Sequence, residues 1–160
     1  MIKFLFEGAP VRGACVQMAE EWQEMIKFHH YPENVAALLG QFTAGALLLS
    51  STIKFEGSLI LQVKGSGPIA FIYAEVRNPM SVRAMAEIRE GAEIKPEMDL
   101  QELINKDGKG LCALILTEGP QTGVQPYQGM VSLESNSVAE NLEKLHGQER
   151  TARNQALSCR

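Results

Sequence analysis

The side chains through which this sequence could do chemistry are three cysteines, two adjacent histidines, a run of glutamates and one glycine-rich turn. Cys15, Cys112 and Cys159 are odd in number, far apart and form no CxxC pair, so they spell out neither a disulfide framework nor a zinc knuckle. A nucleophilic thiolate at Cys15 would need a base such as His29 or His30 beside it. No local signature supports that pairing, and Cys15 lies in an apolar-rich run, so the expected role is a buried structural thiol. His29 and His30 follow a helical pattern, where a positive imidazole suits the helix C-terminus. With no HExxH and no third ligand at sensible spacing, they read as a cap rather than a metal site. Glu20, Glu21 and Glu24 share one helix face and read as a solvated charge run, not an acid–base pair. Gly65-Ser66-Gly67-Pro68 lacks the third glycine and the following helix of a phosphate-cradling loop, and Pro68 removes an N–H donor, so a plain turn is expected. The residues thus offer no catalytic constellation and no metal ligand set.

The bulk properties narrow the class. A chain of 160 residues fits one domain with a single core. Its 45% hydrophobic and 21% charged residues are ordinary for a globular protein, which sets aside disorder and fibrous repeats. A net charge of −4 argues against a general nucleic-acid binder. The opening MIKFLFEGAPVRG has too short an apolar run for a secretory signal, so a cytoplasmic location is expected. The segment VAALLGQFTAGALLLSSTI is about long enough to cross a membrane, but Gln41, Thr43, Ser50, Ser51 and Thr52 dilute it, and a buried helix of a soluble domain is expected instead.

The elements follow from periodicity. KFLFE and VRGACVQM flank Gly8-Ala9-Pro10 and predict a hairpin. Met18, Trp22, Met25 and Ile26 then recur at helical spacing until Tyr31-Pro32. Pro32 opens a second helix, from Asn34 to about Lys54, whose apolar and small residues cover most of its circumference; it is read as the central helix, covered on several sides. Leu59, Leu61 and Val63 alternate with Ser58, Gln62 and Lys64 in a strand. Ile69 to Val76 is apolar on both faces, with Ile69, Phe71 and Tyr73 on one, and reads as a strand buried from both sides. Ser81 to Arg89 alternates as a third strand with one buried face. Residues 99–110 carry a short amphipathic piece. Leu111 to Thr117 and Tyr127 to Glu134 read as the last two strands, joined by a Gly- and Pro-rich loop, and Asn136 is expected to cap a helix from about Ser137 to Lys144. The predicted class is a single α+β domain: hairpin-built antiparallel sheets packed with a central buried helix and flanking helices, with no βαβ repetition.

Three blocks then converge. RGACVQM with its following helix, YPENVAALLGQFTAGALLLSSTIKFEGSLILQVKGSGPI, and PYQGMVSLESNSVAENLEK occur in one order. Together they closely resemble the amino-terminal domain of the heat-shock protein 33 family, over residues 1 to about 144. The resemblance implies an ATP-independent holdase of the bacterial cytoplasm, not an enzyme, whose partners are unfolding client proteins. It also implies a redox switch in a carboxy-terminal domain that binds zinc through a CxC and a CxxC pair. Cys15, Cys112 and Cys159 match neither pair, so no zinc or other cofactor is expected on these 160 residues.

Residues 1–144 are therefore read as a chaperone core and 145–160 as an atypical tail. Where the family continues with a pattern like YMxxSEQLxTxLxLA, this chain has LHGQERTARNQALSCR. One permitted coding of that tail, read after dropping its first base, gives YMVRSEQLETKLCLA. A frameshift that truncates the chaperone and removes its redox regulation is the resulting expectation, with a tail that is poorly ordered or weakly packed. Leu59, Leu61, Phe71 and Tyr73 are the candidate client-contact residues, because they make the largest apolar set on adjacent strands; the competing assignment is plain core. Two other classes stand beside the holdase: a self-associating structural domain, such as a homodimer through an uncovered sheet, and a thiol enzyme using Cys15.

Overall fold

The computed structural model describes residues 1–53, 55, 57–77, 81–117 and 126–158, with 149–158 in backbone only. Its elements run β1 (Ile2–Leu5), β2 (Arg12–Cys15), α1 (Glu20–Ile26), α2 (Glu33–Thr52), β3 (Ser58–Lys64), β4 (Ile69–Arg77), β5 (Ser81–Ile88), α3 (Leu100–Ile104), β6 (Leu111–Thr117), β7 (Tyr127–Ser132) and α4 (Val138–Ser158). All strand pairs are antiparallel: β1 and β2 form a separate two-stranded sheet, and the rest form a five-stranded sheet in the order β5-β4-β3-β6-β7. This is the α+β architecture that the alternating patterns predict. The expected loop between β6 and β7 falls on residues 118–125, outside those described.

One sheet face is covered by α2 and α4. The register places Leu59, Leu61 and Val63 of β3 in line with Val76, Ala74 and Ile72 of β4 and with Leu116, Leu114 and Cys112 of β6. All nine are buried, together with Val35, Leu39, Phe42 and Ala46 of α2. Half of the apolar window of α2 is buried, which accounts for a composition and length that would also suit a membrane span. Gly45 brings α4 close to α2: a side chain there would run into Leu142.

Three local expectations are corrected. First, a bulge at Ala70 breaks the alternation of β4, since Ile69 pairs with Ile88 and Phe71 with Glu87. The extra residue turns Ile69 into the core, fully buried, instead of onto the face of Phe71 and Tyr73. Second, Asn136 does not cap α4. Ser137 Oγ accepts from Glu140 N–H at 3.4 Å, while Asn136 Oδ1 accepts from Gln101 N–H at 3.2 Å and its amide donates to Asp99 Oδ2 at 2.9 Å, supporting the start of α3. Third, α4 does not stop near Lys144 but runs to Ser158, and Leu145 is fully buried. Gln, Glu, Arg and Ala are good helix formers and no proline intervenes, so propensity continues the helix past the boundary drawn at residue 144.

Candidate functional site

The second face of the five-stranded sheet carries the side chains of opposite parity: Ile60, Gln62 and Lys64 of β3, Phe71, Tyr73, Glu75 and Arg77 of β4, Arg83, Met85 and Glu87 of β5, Leu111 and Ile115 of β6, and Met130 of β7. Met85, Leu111 and Met130 are exposed, and Ile60, Phe71, Tyr73 and Ile115 are half-buried. Reading β4 as buried from both sides is thus corrected. Its outer face is shielded by its own long side chains and by those of its neighbours, and no helix or strand among the described residues lies over it.

On the β4–β5 side of this face sits a charged cluster. Glu75 is only 3% exposed. Its Oε2 accepts from Tyr73 Oη at 2.9 Å and from Arg83 Nε, and its Oε1 accepts from Arg77 Nη2 at 3.0 Å. Arg77 Nε also donates to Ser58 Oγ at 3.2 Å, and the Arg83 guanidinium lies over the Tyr73 ring, 5.6 Å from its centroid. Burial pushes the Glu75 carboxyl up, but hydrogen bonds from Ser58, Tyr73, Arg83 and Arg77 outweigh it and hold the group at about 2. Tyr73 moves the other way: its burial and its bond to Glu75 raise the phenol. The cluster is therefore a fixed ionic centre in an apolar surround, and no group in it is poised for acid–base work near neutrality. Its signal in the sequence is the single acid inside IAFIYAEVR, flanked two positions away by Tyr73 and Arg77; a reading that follows the apolar residues passes over it.

The four expected contact residues divide between the two faces. Phe71 and Tyr73 lie on the outer face with their rings 6.2 Å apart. Leu59 and Leu61, at 0% and 1% exposure, lie on the inner face under α2 and cannot touch a partner of the folded chain. The cause is the pairing register, in which Leu59 and Leu61 oppose Val76 and Ala74 rather than Phe71 and Tyr73.

The groups singled out for chemistry are dispersed. Cys15 is exposed, not buried as expected, because it ends β2 of a two-stranded sheet that has few neighbours. Cys112 is buried between β3 and β7, and burial pushes its thiol up to about 12. Cys159 lies outside the described residues. The His29 ring stacks on Tyr31 at 5.1 Å, and its backbone N–H closes the end of α1 on Ile26 O at 2.8 Å. Among the described residues, no three His, Cys, Asp or Glu side chains are grouped to hold a metal ion. Glu20, Glu21 and Glu24 are exposed, and Glu24 pairs with Lys27.

The turn Gly65-Ser66-Gly67-Pro68 is filled by the protein itself. Gly67 N–H donates to Ile104 O at 2.9 Å, and Arg89 donates to the carbonyls of Gly67 and Gly65 at 3.0 and 2.8 Å. Ser66 Oγ accepts from Asp107 N–H at 3.0 Å. A Cβ at Gly65 or Gly67 would overlap the Ile104 or Leu103 carbonyl, so the glycines exist to let this turn dock on the end of α3.

The fold and its uncovered sheet define an α+β domain with one sheet face of mixed apolar and charged side chains and no assembled catalytic centre among the described residues. The family model described as Hsp33 protein matches residues 1–148, and the chain belongs to that family. It is 38% identical over 140 residues to a 33 kDa chaperonin of Neisseria gonorrhoeae, covering 88% of this chain and 45% of the relative. It is 38% identical over 142 residues to a 33 kDa chaperonin of Shewanella loihica, covering 89% and 47%. The chain spans about half the length of these curated relatives. Among solved structures it is similar to the 33 kDa chaperonin of Thermotoga maritima, with a TM-score of 0.56 and 25% identity over 76% of this chain and 41% of that one.

Proposed function

We propose that this chain is a chaperone core that holds unfolded client segments on the outer face of its five-stranded sheet, without ATP and without covalent chemistry. The observation that carries this reading is the apolar set Ile60, Phe71, Met85, Leu111, Ile115 and Met130, left without a covering layer among the described residues. Contiguous exposed apolar surface of this kind on a globular domain marks an interaction site. Membership of the Hsp33 family and the name borne by its relatives, 33 kDa chaperonin, support the same assignment. Binding through area rather than through a reactive group also explains why no nucleophile, base or metal set comes together.

On this reading the 160-residue chain acts independently of redox state. Cys112 is buried with its thiol raised, and Cys15 lies on the separate hairpin rather than on the proposed face. The test is light scattering from a heat-unfolding client mixed with increasing amounts of this chain, with and without peroxide. Suppression of scattering in both conditions is expected, and its weakening by Met85→Glu with Met130→Glu in a protein that melts normally. Failure of the soluble, folded chain to suppress scattering at any ratio overturns the proposal.

A second reading rests on a different surface. Ile2, Phe4, Leu5, Phe6 and Val11 of the β1–β2 hairpin are all exposed, an unusual apolar load for a two-stranded sheet. Self-association through that hairpin gives a homodimer that leaves the outer sheet face free. Sedimentation at several concentrations, with Leu5→Glu as the control, separates this reading from client binding.

A further inference from the structure

We propose that Arg77 and Arg83 form a carboxylate anchor on the β4–β5 side of the outer sheet face, so that the partner segments it takes are apolar runs bearing an aspartate or glutamate at their flank. The inference deepens the client-binding reading and rests on it.

Two cations meet one anion here. Glu75 is buried and its two oxygens are already occupied by Tyr73, Arg83 and Arg77, so it is unavailable to a partner. The guanidiniums are not: the side chains of Arg77 and Arg83 are 58% and 69% exposed. Each guanidinium has five N–H donors in a planar fork. Arg77 uses Nε on Ser58 Oγ and Nη2 on Glu75 Oε1; Arg83 uses Nε on Glu75 Oε2 and Nη2 on Tyr73 Oη at 3.4 Å. Among the described residues the Nη1 group of each has no hydrogen-bond partner.

The geometry favours a carboxylate over other anions. Glu75 faces Arg83 directly across β4 and β5, and Arg77 stands two residues along on the same face, so the two forks are held on either side of one buried acid. Ordering them in advance removes part of the entropy that a flexible surface arginine loses on binding. The trio keeps one unit of positive charge, enough for one carboxylate, on a chain whose net charge is −4. A polyanion would need a row of cations, whereas the third cation of this face, Lys64, stands in one cross-strand row with Phe71 and a second acid, Glu87. Around the anchor lie Ile60, Tyr73 and Met85, which suit apolar side chains rather than phosphates.

The chemistry of clients completes the match. Aggregation-prone apolar stretches in natural proteins are commonly flanked by charged gatekeeper residues. A face that pairs apolar floor with a residual positive charge selects stretches guarded by Asp or Glu over those guarded by Lys or Arg.

The experiment uses the full chain and three fluorescent peptides that share one apolar run and differ only in their flanking residues: glutamate, glutamine or lysine. Fluorescence anisotropy is expected to rank them glutamate, glutamine, lysine, with the glutamate peptide about three- to five-fold tighter than the glutamine peptide at low salt. Raising salt from ~50 to ~500 mM should erase that preference while leaving the apolar affinity. Arg83→Gln and Arg77→Gln, each leaving one arginine for Glu75, should bring the two affinities to within about two-fold. Equal binding of the glutamate and glutamine peptides to the unaltered chain overturns the anchor and leaves client binding standing; binding of no peptide overturns both. If either variant fails to fold, the salt series on the unaltered chain decides: a preference that survives high salt overturns the anchor.

Discussion

Glu75 on β4 and Arg83 on β5 stand directly opposite each other on the outer sheet face, and Arg83 Nε donates to the Glu75 carboxylate from a position that is itself mostly exposed. A nearly buried acid is thereby made compatible with a sheet interior by hydrogen bonds delivered from the solvent side. Because the folded-state value of Glu75 is depressed from 4.5 to about 2, its contribution is fully present above the ordinary carboxylate range and is lost as pH falls through about 2. Its size is on the order of 2 kcal/mol, less than the full pK difference implies because both arginines are solvated. Urea unfolding of the chain and of Glu75→Gln should differ by about that much at pH 7, and the gap should close progressively in acid. A gap that is unchanged between pH 7 and pH 2.5 would contradict this.

The two described cysteines should react at very different rates. Cys15 is exposed, whereas Cys112 is buried with its thiol pushed up to about 12, so its thiolate fraction at pH 8 is roughly one in ten thousand even before access is considered. Alkylation followed by mass mapping should label Cys15 in the native protein and Cys112 only after unfolding. Cys15→Ser should leave suppression of client aggregation unchanged. Loss of that suppression on Cys15→Ser would revive the thiol-enzyme class.

How far the sequence could be read is visible in particular residues. The small and apolar residues of α2 announced a helix covered on several sides, the period-two runs located β3 and β5, and the short apolar runs located β4 and β6, because these signals come from burial repeated over many positions. Single insertions escape such averaging. The bulge at Ala70 moved Ile69 between faces, and the register that sends Leu59 and Leu61 inward while Phe71 and Tyr73 face outward is fixed only by pairing across strands. The Glu75 cluster was hidden for the same reason. Arg83 is eight residues away in sequence and becomes its neighbour only through the β4–β5 pairing.

Glycine substitutions should separate packing from propensity. Gly65→Ala or Gly67→Ala would drive a methyl into the backbone carbonyl of Ile104 or Leu103, and backbone at the end of α3 cannot step aside as a flexible side chain could. A loss of about 2–3 kcal/mol is expected for either, within the range of core overpacking. At Gly147 on α4 no atom of the described residues lies within 4 Å of the position that a methyl group would take, and the residue is inside a helix. Gly147→Ala should therefore raise stability by ~0.5–1 kcal/mol. Thermal melts of the three variants check both signs together.

Asn141 and Leu145 measure whether α4 belongs to the core on both sides of residue 144. Asn141 is fully buried with its amide completely used: Oδ1 accepts from Glu134 N–H at 3.2 Å and Ser135 N–H at 3.3 Å, and Nδ2 donates to Ser135 O at 2.8 Å and Ser137 O at 2.9 Å. One side chain thus ties the chain leaving β7 to the first turns of α4. Asn141→Leu deprives four backbone groups of their partner and should cost about 2–4 kcal/mol, since each buried group left unsatisfied is penalised more than a hydrogen bond is worth. Asn141→Asp keeps the acceptor but loses both donors and should fall between the two. Leu145→Ala should cost a similar 2–5 kcal/mol by opening a cavity under a fully buried side chain. If the residues beyond Lys144 were only loosely attached, Leu145→Ala would leave the urea midpoint where it is while Asn141→Leu moved it. Equal, large shifts for both place the helix on either side of residue 144 in one cooperative unit.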